Sequence, residues 1–178
     1  MISQKMTDAI NKQINNEMYS AYLYMSMSAY SSNIGLNGFA TWFMVQYHEE
    51  MFHAMKQYNY VIDQGAQVHL QAIKEPPKAF ASARDMFEKT LEHERFVTKS
   101  INEIADLALQ EKDHATYQFI QWYVTEQVEE EKNDNELILK LKLAGETGPG
   151  LFMIDAELAA RSLTVQSDFS QGILAAAT

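Results

Sequence analysis

Apolar residues recur every three or four positions over most of the chain, which is the spacing of amphipathic helices. Prolines occur at only two places, Pro76–Pro77 and Pro149, so long segments run without a break. We predict four long helices and a short fifth one. Their bounds are expected at about 4–33, 38–64, 83–110, 114–144 and 150–163.

The lengths of the connections predict how the helices are arranged. The first and third connections are short, so each joins two antiparallel helices. The second connection, GAQVHLQAIKEPPKAFAS, has 18 residues and two prolines. Fully extended it spans roughly 59 Å, whereas the second helix is about 40 Å long. We therefore expect an all-α fold, a single four-helix bundle domain over residues 1–178 with one long crossover and a short fifth helix.

The apolar stripe of each long helix is interrupted by polar side chains near its midpoint. The stripes read Ile10, Ile14, Glu17, Ala21, Tyr24, Ser28; Phe39, Phe43, Gln46, Glu50, His53, Gln57, Tyr60; Phe87, Thr90, Glu94, Val97, Ile101, Ile104; and Ile120, Val124, Gln127, Glu130 or Glu131, Asp134, Ile138, Leu141. Midpoints of similar helices lie at one level of a bundle, so the interruptions should meet in a single layer. The expected members of this layer are Glu17, Glu50, His53, Glu94, Gln127 and Glu130.

A buried layer of four carboxylates needs a positive partner, because an unpaired buried carboxylate costs several kcal/mol. No lysine or arginine stands on the stripes near this level. Two divalent cations would neutralise the layer, and the i, i+3 spacing lets Glu50 and His53 point inward together. Oxygen ligands with one imidazole and no sulfur favour iron or manganese.

Each feature taken alone has a simpler explanation. Glu50 and the acidic run EQVEEEK are typical of a solvated helix face, and His53 of a core or surface histidine. The coincidence of four interruptions favours a metal site over these alternatives. The segment HEEMFH does not predict a zinc protease, because Phe52 stands four residues after His48.

Composition narrows the partners and the compartment. The formal net charge is −10 and no basic patch stands out, so neither nucleic acid nor an anionic membrane is an expected partner. No apolar run approaches the roughly 18 residues of a membrane span. The chain has no cysteine, which excludes thiolate sites and fits a reducing compartment. With no apolar segment near the N-terminus, we expect a cytoplasmic protein.

At these residues the chain resembles ferritins, most closely the non-haem bacterial ferritins, over nearly its whole length. The resemblance implies a ferroxidase centre with two irons in mid-bundle. One iron would be bound at Glu17, Glu50 and His53, and the other at Glu50, Glu94 and Glu130 with Gln127 close by. An accessory third iron site is implied at Glu49, Glu126, Glu129 and Glu130.

Two aromatic residues also match positions near this centre. The resemblance places Tyr24 beside it, where the residue is either packing or supports the ligands, and it makes Trp122 a second nearby electron donor. Helix four carries Glu130 where bacterioferritins have a histidine. Haem is therefore not expected, and Met51, at the position of the haem methionine, is interpreted as packing.

The function implied by the resemblance is iron storage and detoxification. Fe(II) would be oxidised with oxygen or hydrogen peroxide, and the ferric product stored as a mineral. The container would be a homo-oligomeric cage of twenty-four subunits with the fifth helix at fourfold contacts. Tyr117 and Ile120 replace the acidic lining of the threefold channel of animal ferritins, so that entry route lacks its usual ligands here.

Two other interpretations compete with this one. A di-iron peroxidase of rubrerythrin type would share the bundle, but the chain has no Cys-x-x-Cys motif. A purely structural helix bundle would bind no metal and would give no reason for the polar layer.

Overall fold

The computed structural model describes residues 2–145 and 147–165. Its helices are α1 (Gln4–Asn33), α2 (Asn37–Asp63), α3 (Ala83–Glu111), α4 (His114–Ala144) and α5 (Pro149–Leu158). The all-α prediction is confirmed, and the bounds of the four long helices agree with it to within one residue. The predicted end of the fifth helix is wrong, because α5 stops at Leu158 rather than at 163.

Short polar side chains begin three of the long helices. Ser3, Ser82 and Asp113 precede α1, α3 and α4, and each accepts a hydrogen bond from a backbone N–H three residues further on. Such caps satisfy N–H groups that have no partner within the helix. The sequence therefore sets the starts of these helices locally.

The start of α2 is capped from α5 instead. Asp155 Oδ1 accepts hydrogen bonds from the backbone N–H groups of Gly38 and Phe39, at 2.8 Å and 3.1 Å. A Cβ atom at Gly38 would lie 1.6 Å from the carbonyl oxygen of Asp155. Only glycine permits this approach, which packs α5 against α2 and α4 at one end of the bundle.

The chain leaves the helical path after α5 and returns to α2. Arg161 Nη2 lies 2.6 Å from Glu49 Oε2, and Thr164 Oγ1 donates to Glu49 Oε1 at 3.1 Å. The intervening residues include Ser162 and Leu163, and serine and threonine have low helix propensity. Contacts with Glu49 therefore stabilise an irregular path where the apolar pattern predicted more helix.

Three hydrogen bonds between α2 and α4 show that these helices are antiparallel. They join Gln46 to Glu130, the His53 carbonyl oxygen to Tyr123, and Tyr60 to Thr116. Residue numbers fall along α4 as they rise along α2. This register follows from the crossover that joins α2 to α3, and it confirms the predicted topology.

Two apolar clusters form the core, one on each side of the polar layer. The cluster nearer α5 contains Phe39, Phe43, Phe87, Leu141 and Ile154, and the other contains Ile10, Ile14, Ile101 and Ile120. Two predicted stripe residues, Tyr60 and Val124, are only half-buried. Within the described part of the chain, no helix is both long and apolar enough to cross a membrane.

Candidate metal centre

The polar side chains predicted to meet in mid-bundle are all buried. The exposed fractions are 1% for Glu17, 2% for Glu50, 3% for His53, 1% for Glu94, 4% for Gln127 and 6% for Glu130. Each of the four long helices thus contributes a carboxylate to the interior. The choice between Glu130 and Glu131 is settled, since Glu131 lies at the bundle edge and accepts a hydrogen bond from Thr98 at 2.7 Å.

Three of these residues already have the spacing of ligands that share one cation. Glu17, Glu50 and His53 each present a ligand atom within 4.8 Å of the other two. His53 Nδ1 lies 3.6 Å from Glu50 Oε2. Both residues come from α2 at i, i+3, and α1 supplies Glu17 from the facing side.

The other half of the layer is joined by hydrogen bonds. Gln127 Nε2 donates to Glu94 Oε2 at 3.0 Å, and the Tyr24 hydroxyl donates to Glu94 Oε1. Gln46 Nε2 donates to Glu130 Oε2 at 2.9 Å. Tyr24 is therefore buried, and its hydroxyl is hydrogen-bonded to Glu94, a predicted ligand. This is the arrangement expected of a residue that positions Glu94.

Burial dominates the electrostatics of the layer. Removal from water raises the pKa of Glu17 to about 7 and the pKa of Glu130 to about 8. The pKa values of Glu50 and Glu94 are raised by the same cause. Burial, followed by the charge of Lys56, lowers the pKa of His53 to about 3. His53 is consequently a neutral imidazole, the form that binds metals.

Glu17 is held through only one of its oxygens. Gln13 and Gln57 each donate to Glu17 Oε1 at 3.0 Å. Glu17 Oε2 is buried, faces Glu50 and accepts from no amide or hydroxyl donor among residues 2–145 and 147–165. A fixed carboxylate with one free buried oxygen, facing Glu50 and His53, suits a cation, because burial without a partner is costly.

Two further groups of buried oxygens lie on the α5 side of the layer. Gln46 Oε1 and both carboxylate oxygens of Asp134 have no partner within the described ranges. Burial raises the pKa of Asp134 to about 9, and the charges of Glu94 and Glu130 add to this rise. Asp134 appeared in the predicted α4 stripe, but the sequence assigned no role to it.

The predicted accessory residues lie nearer the surface. Glu49 is 8% exposed, Glu126 is half-buried and Glu129 is exposed. Burial raises the pKa of Glu49, and the charge of Arg161 opposes that rise. The structure brings Glu49 and Glu129 within electrostatic reach of each other and of Glu126.

Two cations beside these carboxylates were missed by the sequence reasoning. Arg161 bonds to Glu49, and its guanidinium carbon lies 4.6 Å from the ring centre of Trp42. Lys56 Nζ lies 3.3 Å from the ring centre of Trp122, whose ring is 5.3 Å from that of His53. Lys56 follows His53 by three residues and was detectable from helix spacing, whereas Arg161 depends on the irregular path after α5.

The three remaining residues singled out in the sequence, Ile120, Tyr117 and Met51, do not belong to the polar layer. Ile120 is 1% exposed and packs inside the bundle, so it is not available to line a channel. Tyr117 and Met51 are half-buried. None of these three residues adds a ligand atom to the polar layer.

Comparisons with known proteins agree with this geometry. The model of the ferritin-like domain family matches residues 7–144. A bacterial non-heme ferritin of Campylobacter jejuni is 43% identical over 155 residues, covering 87% of this chain and 93% of the relative. A bacterial non-heme ferritin of Escherichia coli is 39% identical over 158 residues, covering 89% and 96%.

Solved structures show the same similarity. An engineered closed form of the Archaeoglobus fulgidus ferritin is 50% identical, with a TM-score of 0.90, and the match covers 92% of this chain and 100% of that one. The open-pore ferritin of the same archaeon has the same identity and TM-score, covering 91% and 100%. The chain therefore belongs to the ferritin family.

Proposed function

We propose that this protein binds Fe(II) in the mid-bundle layer, oxidises it, and stores the ferric product as a mineral inside a cage. The proposed ligands are Glu17, Glu50, His53, Glu94, Gln127 and Glu130. The observation that carries the proposal is the set of four buried carboxylates beside a neutral imidazole. Iron is here the substrate and the cargo of the protein.

The ligand set fits two cations better than one. Glu17, Glu50 and His53 share one side of the layer, and Glu94 with Glu130 provides carboxylates on the other side. Four carboxylates match the charge of two Fe(II) ions. Carboxylate and imidazole ligands without sulfur also suit iron.

The redox chemistry balances with either oxidant. Two Fe(II) ions give up one electron each; oxygen takes two electrons and two protons to become hydrogen peroxide, or peroxide takes the same to become two waters. The protein orients the metal ions and keeps them in a shielded pocket. We assign a supporting role in electron supply to Tyr24 and Trp122; the support is the hydrogen bond of Tyr24 to Glu94 and the contact of Trp122 with His53.

The accessory site and the cage are further parts of the proposal. Glu49, Glu126 and Glu129, together with Glu130, would hold a third iron more weakly, since Arg161 and Lys56 already offset their charge. Membership of the ferritin family supports assembly into a closed homo-oligomer. We propose twenty-four subunits.

Anaerobic titration followed by stopped-flow oxidation tests the function. We expect at least two Fe(II) ions per chain to bind tightly, and oxidation by oxygen or by peroxide to run faster than in buffer. Running the two oxidants side by side identifies the preferred one. No saturation near two ions per chain would refute the assigned centre.

Gel filtration tests the cage separately. A cage elutes at several hundred kilodaltons, given a chain of 20.4 kDa. Elution as a monomer or dimer, with fast oxidation retained, would keep the centre and refute the proposed storage container. A di-iron peroxidase would instead prefer peroxide and retain no iron mineral.

A further inference from the structure

Asp134 is a buried carboxylate for which the surrounding fold provides no hydrogen-bond donor within the described residues. It is 1% exposed, and neither of its oxygens has a hydrogen-bond partner in residues 2–145 or 147–165. The α4 residues that follow it on the same face, Leu137, Ile138 and Leu141, are buried and apolar. A leucine at 134 would continue this stripe, whereas an unpartnered carboxyl lowers stability whether or not it is ionised.

Spacing along α4 places Asp134 next to the proposed iron ligands. It follows Glu130 by four residues, which is one helical turn on the same face. Asp134 is also within electrostatic reach of Glu94 and Glu130. Because the α2–α4 register pairs Glu130 with Gln46, Asp134 lies on the α5 side of that pair.

Gln46 offers a second free oxygen beside Glu130, at the end of the proposed site that lies nearer the centre. Its Nε2 donates to Glu130, while its Oε1 is buried and, in the part of the chain that the structure covers, has no donor. An amide oxygen and a carboxylate are ligands that hard divalent cations accept. The two unpartnered groups therefore share the same chemical requirement.

We propose that Asp134, Gln46 Oε1 and Glu130 form an additional cation site, one helical turn from the proposed centre towards α5. The inference rests on the proposed function, because the cation is the Fe(II) that the protein takes up. Glu130 is a ligand of both the proposed centre and the additional site. An ion can therefore move from one to the other while it stays bound to Glu130. The site thus extends the row of iron positions along the bundle interior, away from Glu126 and Glu129.

The positive charge of Arg161 acts on this site from its position at Glu49. Its Nη2 is held by Glu49, its Nη1 is buried without a partner in the described chain, and its charge opposes the raised pKa of Asp134. The guanidinium partly offsets the negative charge without bonding to Asp134. An ion at Asp134 is therefore expected to be held less tightly than one beside His53.

Anomalous diffraction from crystals soaked anaerobically in Fe(II) tests the inference directly. We expect iron peaks at Glu17, Glu50 and His53, and one more between Asp134 and Gln46. Peaks at the centre without the additional one would overturn this inference alone. The absence of iron from both places would overturn the proposed function as well.

Variants provide the matched solution test. Asp134→Asn keeps the shape and removes the charge, and we expect it to lose one bound Fe(II) per chain in anaerobic calorimetry while the tightest sites persist. Glu136→Gln changes an exposed carboxylate on the same helix and should lose none. Unchanged stoichiometry in Asp134→Asn would refute the site, and the wild-type diffraction remains decisive if that variant does not fold.

Discussion

The central and the accessory carboxylates differ in what neutralises them. Glu17, Glu50 and Glu94 are at most 2% exposed. Among the described residues, amide and hydroxyl groups donate to Glu17 and Glu94, and Glu50 lies beside the neutral imidazole of His53. At the accessory group, Glu49 is paired with Arg161, and Lys56 lies within electrostatic reach of Glu126. The chain thus supplies its own cations to the accessory carboxylates at the rim of the bundle, whereas the carboxylates in the middle need a bound metal ion to neutralise them.

The central carboxylates therefore lower the stability of the metal-free protein, whereas the accessory carboxylates do not. In the middle, desolvation and like charge both oppose folding of the metal-free protein. At the rim, Arg161 and Thr164 fix Glu49 and join the end of the described chain to α2. The same side-chain type therefore destabilises one region and helps to hold the other together.

The largest expected effect comes from replacing Glu94 by leucine. Glu94→Leu removes a desolvated carboxylate from among like charges, but it also leaves the buried Tyr24 hydroxyl and the Gln127 amide without an acceptor. We therefore expect the metal-free protein to be stabilised by at most about 1 kcal/mol. The substitution should also abolish rapid iron oxidation, since a proposed ligand is lost. Thermal melts without metal and stopped-flow oxidation measure the two effects.

Two control variants make that result interpretable. Glu94→Gln keeps the shape of the side chain and removes its charge. If Glu94→Leu lowers the melting temperature and Glu94→Gln does not, the leucine is too large for the pocket and the account of the charge stands. Glu92→Gln changes an exposed carboxylate on the same helix and should alter neither quantity. A lower melting temperature for both Glu94 variants would show that the carboxylate supports the fold rather than binding iron.

A smaller effect concerns the pH dependence of the metal-free protein. The pKa values of Glu17 and Glu130 rise from 4.5 to about 7 and about 8, so the folded state holds protons that the unfolded state has lost. Stability should therefore fall as pH rises from about 4.5 to about 8, by up to about 1.4 kcal/mol per group and pH unit. Urea unfolding across this range measures the slope.

The matched variant for this comparison is Glu130→Gln, which is neutral at every pH. It should flatten the upper part of the curve, whereas Glu129→Gln, at an exposed position, should leave the curve as it is. Stability that rises with pH between 5.5 and 8 would contradict the burial of protonated carboxylates in the layer.

Periodicity predicted the bundle well because each long helix carries its own local information. Serine and aspartate caps begin three helices, and stripe residues such as Phe43 and Ile101 are buried as expected. The polar layer was predictable for the same reason, because a polar residue that interrupts an apolar stripe can be recognised from the sequence of a single helix.

What the sequence did not reveal depends on contacts between distant segments. The end of α5 and the pairing of Arg161 with Glu49 arise from tertiary contacts 112 residues apart. Asp134 was visible in the stripe, but its lack of a partner was not, because that property depends on all the surrounding side chains. Spacing identifies which residues face inward, and only the packed structure shows which of their atoms remain free.

The smallest effect is expected from Arg161→Gln. Removing the guanidinium frees Glu49, so a third Fe(II) should bind the accessory group about threefold to tenfold more tightly, the gain being limited by solvent screening at the rim. Anaerobic calorimetry in the Asp134→Asn background, which lacks the proposed additional site, measures this step, and the first two ions should bind as in the wild type. Lys140→Gln breaks the exposed pair with Glu157 and serves as the control for charge removal near α5. Weaker binding of the third ion in Arg161→Gln would mean that Arg161 orients Glu49 for the metal instead of competing with it.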